Sequence, residues 1–565
     1  MEYLLIAVAA LAVVIVSTVL SRRTGVAVPL LLLVVGIAAS FLPAIPDFVL
    51  APEWILAGVL PPLLYSSAVR FPVTDLRRNL GQISWLSVIM VVASALVIGV
   101  VVHAVFPQIP IALGVALGAV VSPTDAVAAT AIGRRLGLPP RLMSVLEGES
   151  LMNDATALVL LRTALAAVMG TFSFWQSLRD FAVAVLVALV VGGLIAGITI
   201  MVRARISDPV LTSTISFFVP FLAYFPTEEL HGSGVLATVV AGVITGHRSA
   251  HRFSAAARGT EAANWATISF VLESAVFLVM GLELPGLVTD ARTESSMSTV
   301  AAIAAVVFVL LLALRAAGVL VAIRFGSRHN STRRSRRRIE DAESELETIE
   351  PETHQQERRA QNIRRWIDRG RADLAFEEDQ PIGRKGALVL SWAGMRGVVT
   401  LAAAQTIPEG TDHRAVVVLV AFVVSVATLI GFGSTLPLVI RRMHFRERSV
   451  QDKREEIRSL VSEMVDTVSE RLGPLEDQQI EGEPIAPAVV ERMSKLFAPL
   501  LTGALPEGQA KIDHRDQLIE LTERYVAALR ETLLDERSIG NYRADTYLKV
   551  QGLLDALERR GETTH

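Results

Sequence analysis

Residues 114–161 read GVALGAVVSPTDAVAATAIGRRLGLPPRLMSVLEGESLMNDATALVLL: two apolar runs, the first broken by Ser122-Pro123-Thr124-Asp125, the second carrying Glu149-Ser150-Leu151-Met152-Asn153-Asp154. An apolar run of about 20 residues is what one helical crossing of a bilayer requires. An acid at the centre of such a crossing costs free energy to insert, so it is a functional candidate by default. Asp125, Glu149 and Asp154 make three such acids in this one stretch.

Pro123 removes a backbone N–H and clashes with the preceding turn, which predicts a helix break at residues 122–125. Broken helices persist in a membrane only where protein or a wet cavity satisfies the freed backbone. The carbonyl and hydroxyl of Thr124 are then candidate oxygen ligands for a small hard cation, and Asp125 complements the positive end of the second half-helix. A proline kink with an N-capping aspartate reads the same residues equally well. In the next run Glu149 and Asn153 are four residues apart, as are Ser150 and Asp154, so each pair shares a helix face and the faces adjoin. That polar patch has no structural purpose in hydrocarbon, where two uncompensated carboxylates would be costly.

The surrounding chain is a scaffold for this stretch. Of its 565 residues 52% are hydrophobic and 19% charged, and mean hydropathy is +0.48, more apolar than a soluble core requires. The net charge of −3 gives no sign of a nucleic-acid partner, and the absence of cysteine excludes disulfide and thiolate chemistry. The N-terminal run opens with Glu2 and lacks a basic leader region, so it reads as a first span.

Counting crossings gives about thirteen, at roughly 3–20, 26–45, 52–69, 81–106, 111–132, 142–169, 178–202, 208–225, 233–247, 264–285, 299–323, 385–407 and 414–440. Alternate loops differ in charge. One set carries Arg22/Arg23, Arg70/Arg77/Arg78, Arg134/Arg135/Arg141, Arg203/Arg205 and Arg248/Arg252/Arg258; the other carries Asp47/Glu53, Glu228/Glu229, Asp290/Glu294 and Glu409/Asp412. Basic loops stay in the cytoplasm, which puts the N-terminus outside and the C-terminus inside the cell membrane. The expected organisation is a transmembrane domain over 1–442 with a charged cytoplasmic insertion at 326–383, read as a solvated, partly helical loop able to touch anionic lipid headgroups, and a cytoplasmic helical domain over 443–565. Helical spacing of Ile457, Leu460, Val461 and Met464, and of Leu518, Leu521, Tyr525 and Leu529, supports the last. A regulatory role and a purely structural one both remain open for it.

The compensating cation is expected in the twelfth span, where Gly394-Met395-Arg396-Gly397 sets a guanidinium between two glycines. Arginine stays charged when buried, which makes Arg396 the expected partner of Glu149. The fifth and twelfth spans are seven apart, and this odd offset suits inverted-topology repeats. The fold class is therefore all-α, polytopic, with broken helices.

Ser122-Pro-Thr-Asp125, Glu149-Ser150-x-x-Asn153-Asp154 and Gly394-Met-Arg-Gly397 together resemble the motifs of the cation/proton antiporter-1 family, which includes animal sodium/proton exchangers and NhaP-type prokaryotic antiporters. Residues 1–442 are covered, and Pro61-Pro62-Leu63-Leu64-Tyr65, residues 265–281 and Gly433-Ser-Thr435-Leu-Pro437 also fit. The resemblance implies a homodimer in which Asp154 alternately carries proton and cation, Asp125, Thr124 and Ser150 line the ion site, Glu149 pairs with Arg396, and Asn153 orients the site. It implies Na+ and H+ as transported ions, with K+ as the alternative to Na+, and no cofactor or structural metal. Asn153 stands where electrogenic relatives carry a second aspartate, which implies one proton per cation. Ser66 departs from the acid that many prokaryotic relatives carry, and Phe432 from their glutamine. Glu273 is acidic in similar animal exchangers too, and reads either as a pathway residue or as a carboxylate bonded to a neighbouring helix. An intramembrane hydrolase using Ser150, or an Asp125/Asp154 dyad, is the reading from another class, though it leaves Asn153 and Arg396 without a purpose.

Overall fold

The computed structural model describes residues 2–24, 26–42, 51–170, 173–326, 329–347, 353–445, 450–473, 478–480, 483–497 and 515–562. Asp47, in the first acidic loop, lies outside them. The described chain is mostly helical and divides into two compact units: Met1–Arg248, Glu261–Ser327 and Ile382–Phe445 form one; Ser249–Thr260, Arg328–Pro381 and Arg446–His565 form the other.

The first unit holds α1 (Glu2–Thr24), α2 (Val28–Ala39), α3 (Leu60–Arg70), α4 (Val73–Ser84), α5 (Met90–Val105), α6 (Ile111–Val121), α7 (Ala126–Arg135), α8 (Pro140–Val168), α9 (Phe174–Arg203) and α10 (Pro209–Glu229). After α11 (Gly234–Arg252) and α12 (Ala255–Leu282), both shared with the second unit, come α13 (Leu284–Glu294) and α14 (Met297–Gly326). Beyond the insertion follow α17 (Arg384–Trp392), α18 (Val398–Gln405) and α19 (Arg414–Met443). Among the described residues, eight helices are long and apolar enough to cross a membrane: α4 continued through α5, α6 with α7, α8, α9, α10, α12, α14 and α19.

Small residues let the central helices close up. A Cβ on Gly118 would sit 2.6 Å from the Ala95 carbonyl oxygen, and one on Gly114 2.9 Å from that of Gly99, so α6 rides directly on the α5 backbone. One apolar core then runs through α5, α6, α8, α14 and α17–α19, with Leu117, Val121, Leu390, Met395, Leu401 and Val420 buried in it. The chain breaks twice inside this core, after Val121 and after Trp392.

The second unit contains α15 (His329–Glu347), α16 (His354–Asp379), α20 (Val450–Leu472), α21 (Pro487–Phe497), α22 (Arg515–Ile539) and α23 (Ala544–Glu562), with a two-strand ribbon of β1 (Gln479–Ile480) antiparallel to β2 (Glu483–Pro484). Leu460, Val461 and Met464 of α20 meet Leu521, Tyr525 and Leu529 of α22 in its core. The insertion is helical and falls within this unit: Arg369 of α16 donates to the Ser538 hydroxyl at 3.4 Å, and Arg543 pairs with Asp379. Its charges hold it to α22 and α23, which its sequence pattern alone does not distinguish from charges facing water.

Candidate functional site

The two breaks meet. Asp125 donates its backbone N–H to the Met395 carbonyl at 2.7 Å, so the extended residues 123–125 cross those of 394–397. Four half-helix ends converge here, and each needs its free backbone groups satisfied. At the start of α7, Asp125 accepts from Val127 N–H at 2.8 Å through Oδ1, the N-cap its sequence position predicts. Arg396 serves the end of α6, donating through Nε to the Val121 carbonyl at 2.8 Å and through Nη1 to the Gly394 carbonyl. Arg315 of α14 serves the end of α17, donating to the Leu390 carbonyl through Nη2 at 3.1 Å. Ser425 of α19 donates to the carbonyls of Arg396 and Gly397 at 3.2 and 3.1 Å.

Glu149 pairs with Arg315, not with Arg396. Arg315 reaches both carboxylate oxygens, Nη2 to Oε2 at 2.8 Å and Nη1 to Oε1, and the two side chains are 1% and 2% exposed. The reason is local: the Arg396 guanidinium is directed to two carbonyls that the broken helices leave free, while Arg315 is aimed at the carboxylate by an intact helix. The signal for Arg315 was in the chain, since it is a lone arginine within the apolar run LLLALRAAGVL at 310–320, and an intramembrane charge marks a function whichever its sign.

The remaining site residues come together as one network. Thr124 donates its hydroxyl to Glu149 Oε1 at 3.0 Å, Asn153 Nδ2 donates to both the carbonyl and the hydroxyl of Thr124 at 3.1 Å, and Ser150 Oγ accepts from Ala126 N–H at 3.3 Å. Arg315, Glu149, Thr124 and Asn153 are thus a continuous buried chain ending beside Asp154. Asp154 itself is 7% exposed, lies within electrostatic range of Asp125, and accepts no hydrogen bond from the described residues. Asn153 Oδ1 is buried without a donor. Among the described residues, the Asp154 carboxylate, Asp125 Oδ2 and Asn153 Oδ1 accept no hydrogen bond. Gly397 closes one side: a Cβ there would lie 2.6 Å from Asp125 Oδ2.

Glu273 of α12 is half-buried and within electrostatic range of Asp125 and of Arg70. One turn before it, Ser269 shares a 2.7 Å hydrogen bond with Ser66 of α3, and Arg70 donates to the Ser66 carbonyl at 2.9 Å. Ser66 thus spends its hydroxyl on joining two helices. Phe432 packs its ring against Phe308 and Trp392, with centroids 5.8 and 5.3 Å away. Away from the site, Arg203 of α9, which charge patterning had placed in a loop, forms a second buried pair with Glu261 of α12 at 2.5 Å.

The sequence profile of the family described as "Sodium/hydrogen exchanger, transmembrane" matches residues 8–442. The chain is 28% identical over 575 residues to the uncharacterized Na(+)/H(+) exchanger YjcE of Escherichia coli, covering 96% of each. It is 29% identical over 466 residues to the sodium, potassium, lithium and rubidium/H(+) antiporter of Bacillus subtilis, covering 78% of this chain and 62% of that protein. In fold it is similar to the sodium proton antiporter MjNhaP1 of Methanocaldococcus jannaschii, with a TM-score of 0.57 at 18% identity over 78% of this chain and 99% of the other.

Proposed function

Because the chain belongs to the sodium/hydrogen exchanger family, we propose that it exchanges sodium for protons across the cell membrane, with Asp154 holding one ion or the other in turn. It is a multi-pass membrane transporter and not an enzyme. The observation that carries the mechanism is the contrast between two neighbouring acids. Glu149 is saturated by Arg315 and Thr124, whereas Asp154, five residues on, has no donor among the described residues. A carboxylate with free oxygens beside unfilled neutral acceptors can bind H+ or Na+ but not both, and that exclusion couples the two fluxes.

Thr124, Asn153 and Ser150 shape the site: the first two link it to the buried ion pair, and Ser150 holds the α7 N-terminus against α8. Asp125 supplies a second carboxylate of constant charge, and Glu273 lines the route to it. Electroneutral exchange of one H+ for one Na+ follows if Asp154 alone changes protonation. Thirteen crossings in inverted repeats are supported by the two broken spans meeting at their breaks, with the N-terminus outside and α20–α23 in the cytoplasm as the loop charges imply. The homodimer is part of the same reading, as is lipid contact.

Potassium is the second candidate, favoured by the likeness to the Bacillus subtilis sodium, potassium, lithium and rubidium/H(+) antiporter. Reconstituted into liposomes with an entrapped pH dye, the protein is expected to dequench on addition of Na+ and less on addition of K+. Equal responses would assign it to mixed monovalent cation exchange, and no response to either would overturn the proposal.

A further inference from the structure

The span that joins α4 to α5 is not α-helical throughout. Between the two, Trp85–Ile89 form a π turn, in which the Met90 N–H bonds the Trp85 carbonyl. Single π turns inside α-helices are rare and gather at functional sites. At 3.6 residues per turn, side chains five residues apart diverge by about 140°, whereas a turn closed over five residues brings Met90 back over Trp85. Both then meet the same residue, Gly318 of α14. Trp85 Nε1 donates to the Gly318 carbonyl at 3.1 Å, and Met90 fills the space a side chain would take, since a Cβ on Gly318 would lie 2.6 Å from Met90 Sδ.

The same stretch rests on α8. A Cβ on Gly148 would fall 2.5 Å from Ile83 Cδ1, so Ile83 packs against the backbone of the residue that precedes Glu149. Ser87, inside the π turn and fully buried, donates its hydroxyl to the Ile83 carbonyl at 2.6 Å, a back-bond that bends helices. One segment therefore holds α14 three residues beyond Arg315 and α8 one residue before Glu149. The ion pair those two residues form is two-pronged, and such pairs are exacting in geometry. A slip of one residue turns a helical side chain by about 100°, so the pair needs both helices held in rotation.

We infer that the π turn at Trp85–Ile89 sets the register in which Arg315 of α14 meets Glu149 of α8, with Trp85 as its positioning residue. The inference rests on the cation-exchange reading of the site. From Glu149 the alignment passes to the Thr124 hydroxyl at 3.0 Å and from there to Asn153 at 3.1 Å. The π turn thus acts on sodium affinity from outside the site.

The test uses full-length Trp85→Phe, which keeps an aromatic ring and removes the N–H, and Gly318→Ala, which crowds Met90. In each, the sodium concentration giving half-maximal exchange, and that giving half of the sodium-induced rise in Tm, should increase about threefold or more, with maximal rate held within about twofold. Met90→Ala added to Gly318→Ala makes room for the methyl and should return both values towards wild type. The Tm loss caused by Arg315→Ala should be smaller in a Trp85→Phe background, because a misaligned pair has less to lose. Gly192→Ala, whose Cβ would sit 2.5 Å from the Ala237 carbonyl oxygen between α9 and α11, is the control for packing damage, and its Tm should fall with sodium affinity intact. Wild-type sodium affinity in Trp85→Phe and Gly318→Ala, an equal loss of affinity in Gly192→Ala, or Tm losses of Trp85→Phe and Arg315→Ala that add would each overturn the positioning role. If Trp85→Phe does not fold, Gly318→Ala and its rescue by Met90→Ala decide it. A wild type that neither exchanges nor is stabilised by sodium would overturn the exchange reading alone, and the Trp85/Arg315 melts, which need no ion, would still decide the role of Trp85.

Discussion

Arg315 and Glu149, 166 residues apart in sequence, form a two-pronged ion pair at 1% and 2% exposure, and Thr124 donates to the same carboxylate. Removing one partner strands a buried charge, at a cost of about 3–5 kcal/mol. Arg315→Ala and Glu149→Ala are each expected to lower the Tm in detergent, and the double variant should lose less than the sum of the singles. Arg396→Ala should instead strand the Val121 and Gly394 carbonyls, costing about 1–3 kcal/mol each, and should couple to Glu149→Ala less strongly than Arg315→Ala does. An additive Arg315/Glu149 cycle, measured by thermal melts, would remove the pairing.

The ion pair also marks how far the sequence could be read. Pro123 and the spacing of Glu149 to Asp154 are local features, so the break and the polar helix face were legible from bond geometry and helical period. Which arginine meets Glu149 is decided by how α14 packs, and no local pattern encodes that. Arg396 drew attention because glycines flank it, and those glycines instead mark the backbone crossing at Asp125. The partners of the charged insertion were hidden for a related reason. Arg369 and Arg543 find Ser538 and Asp379 more than 160 residues away, and a charge that will be paired looks in sequence like one that will be hydrated.

Gly397 offers a steric test of the site. Any side chain there must displace the Asp125 carboxylate or the crossing itself, since its Cβ would fall 2.6 Å from Oδ2. Gly397→Ala is expected to raise the apparent KM for sodium about tenfold or abolish exchange, through misplacement of a ligand and not through loss of charge. Gly410, whose added Cβ would meet nothing within 4 Å, is the control, and Gly410→Ala should transport normally. Wild-type kinetics in Gly397→Ala vesicles would mean that Asp125 has no part in cation binding.

Asp154→Asn should leave a folded protein that moves neither ion against the other, because an amide binds no proton in exchange for a cation. On the proposed mechanism, proton and sodium compete for one carboxylate in the wild type. Once the protonated form dominates, each unit of falling pH should raise the apparent KM for sodium about tenfold while maximal rate stays level. Initial rates in vesicles across a pH series check both statements. Retained exchange in well-folded Asp154→Asn would remove the carrier assignment.

The proposed one-for-one exchange turns on Asn153. Its amide nitrogen is committed to Thr124 and its oxygen is buried with no donor among the described residues, so it offers a neutral acceptor where a second aspartate would offer a titrating one. With Asp154 as the sole group that changes protonation, the proton-loaded and sodium-loaded states have equal charge. The membrane potential, worth about 2.3 kcal/mol per charge per 100 mV, then exerts no force on the cycle. A potential imposed with potassium and valinomycin should leave the sodium-driven rate unchanged, and the sodium gradient that balances a given pH gradient should equal it. Asn153→Asp places a second carboxylate beside Asp154, where like charges resist ionising together and one proton is readily retained. That variant should become voltage-sensitive, with its balance point moving towards two protons per sodium ion. A wild-type rate that follows voltage would show instead that Asp125 or Glu273 already titrates during transport, and that Asn153 does not fix the stoichiometry.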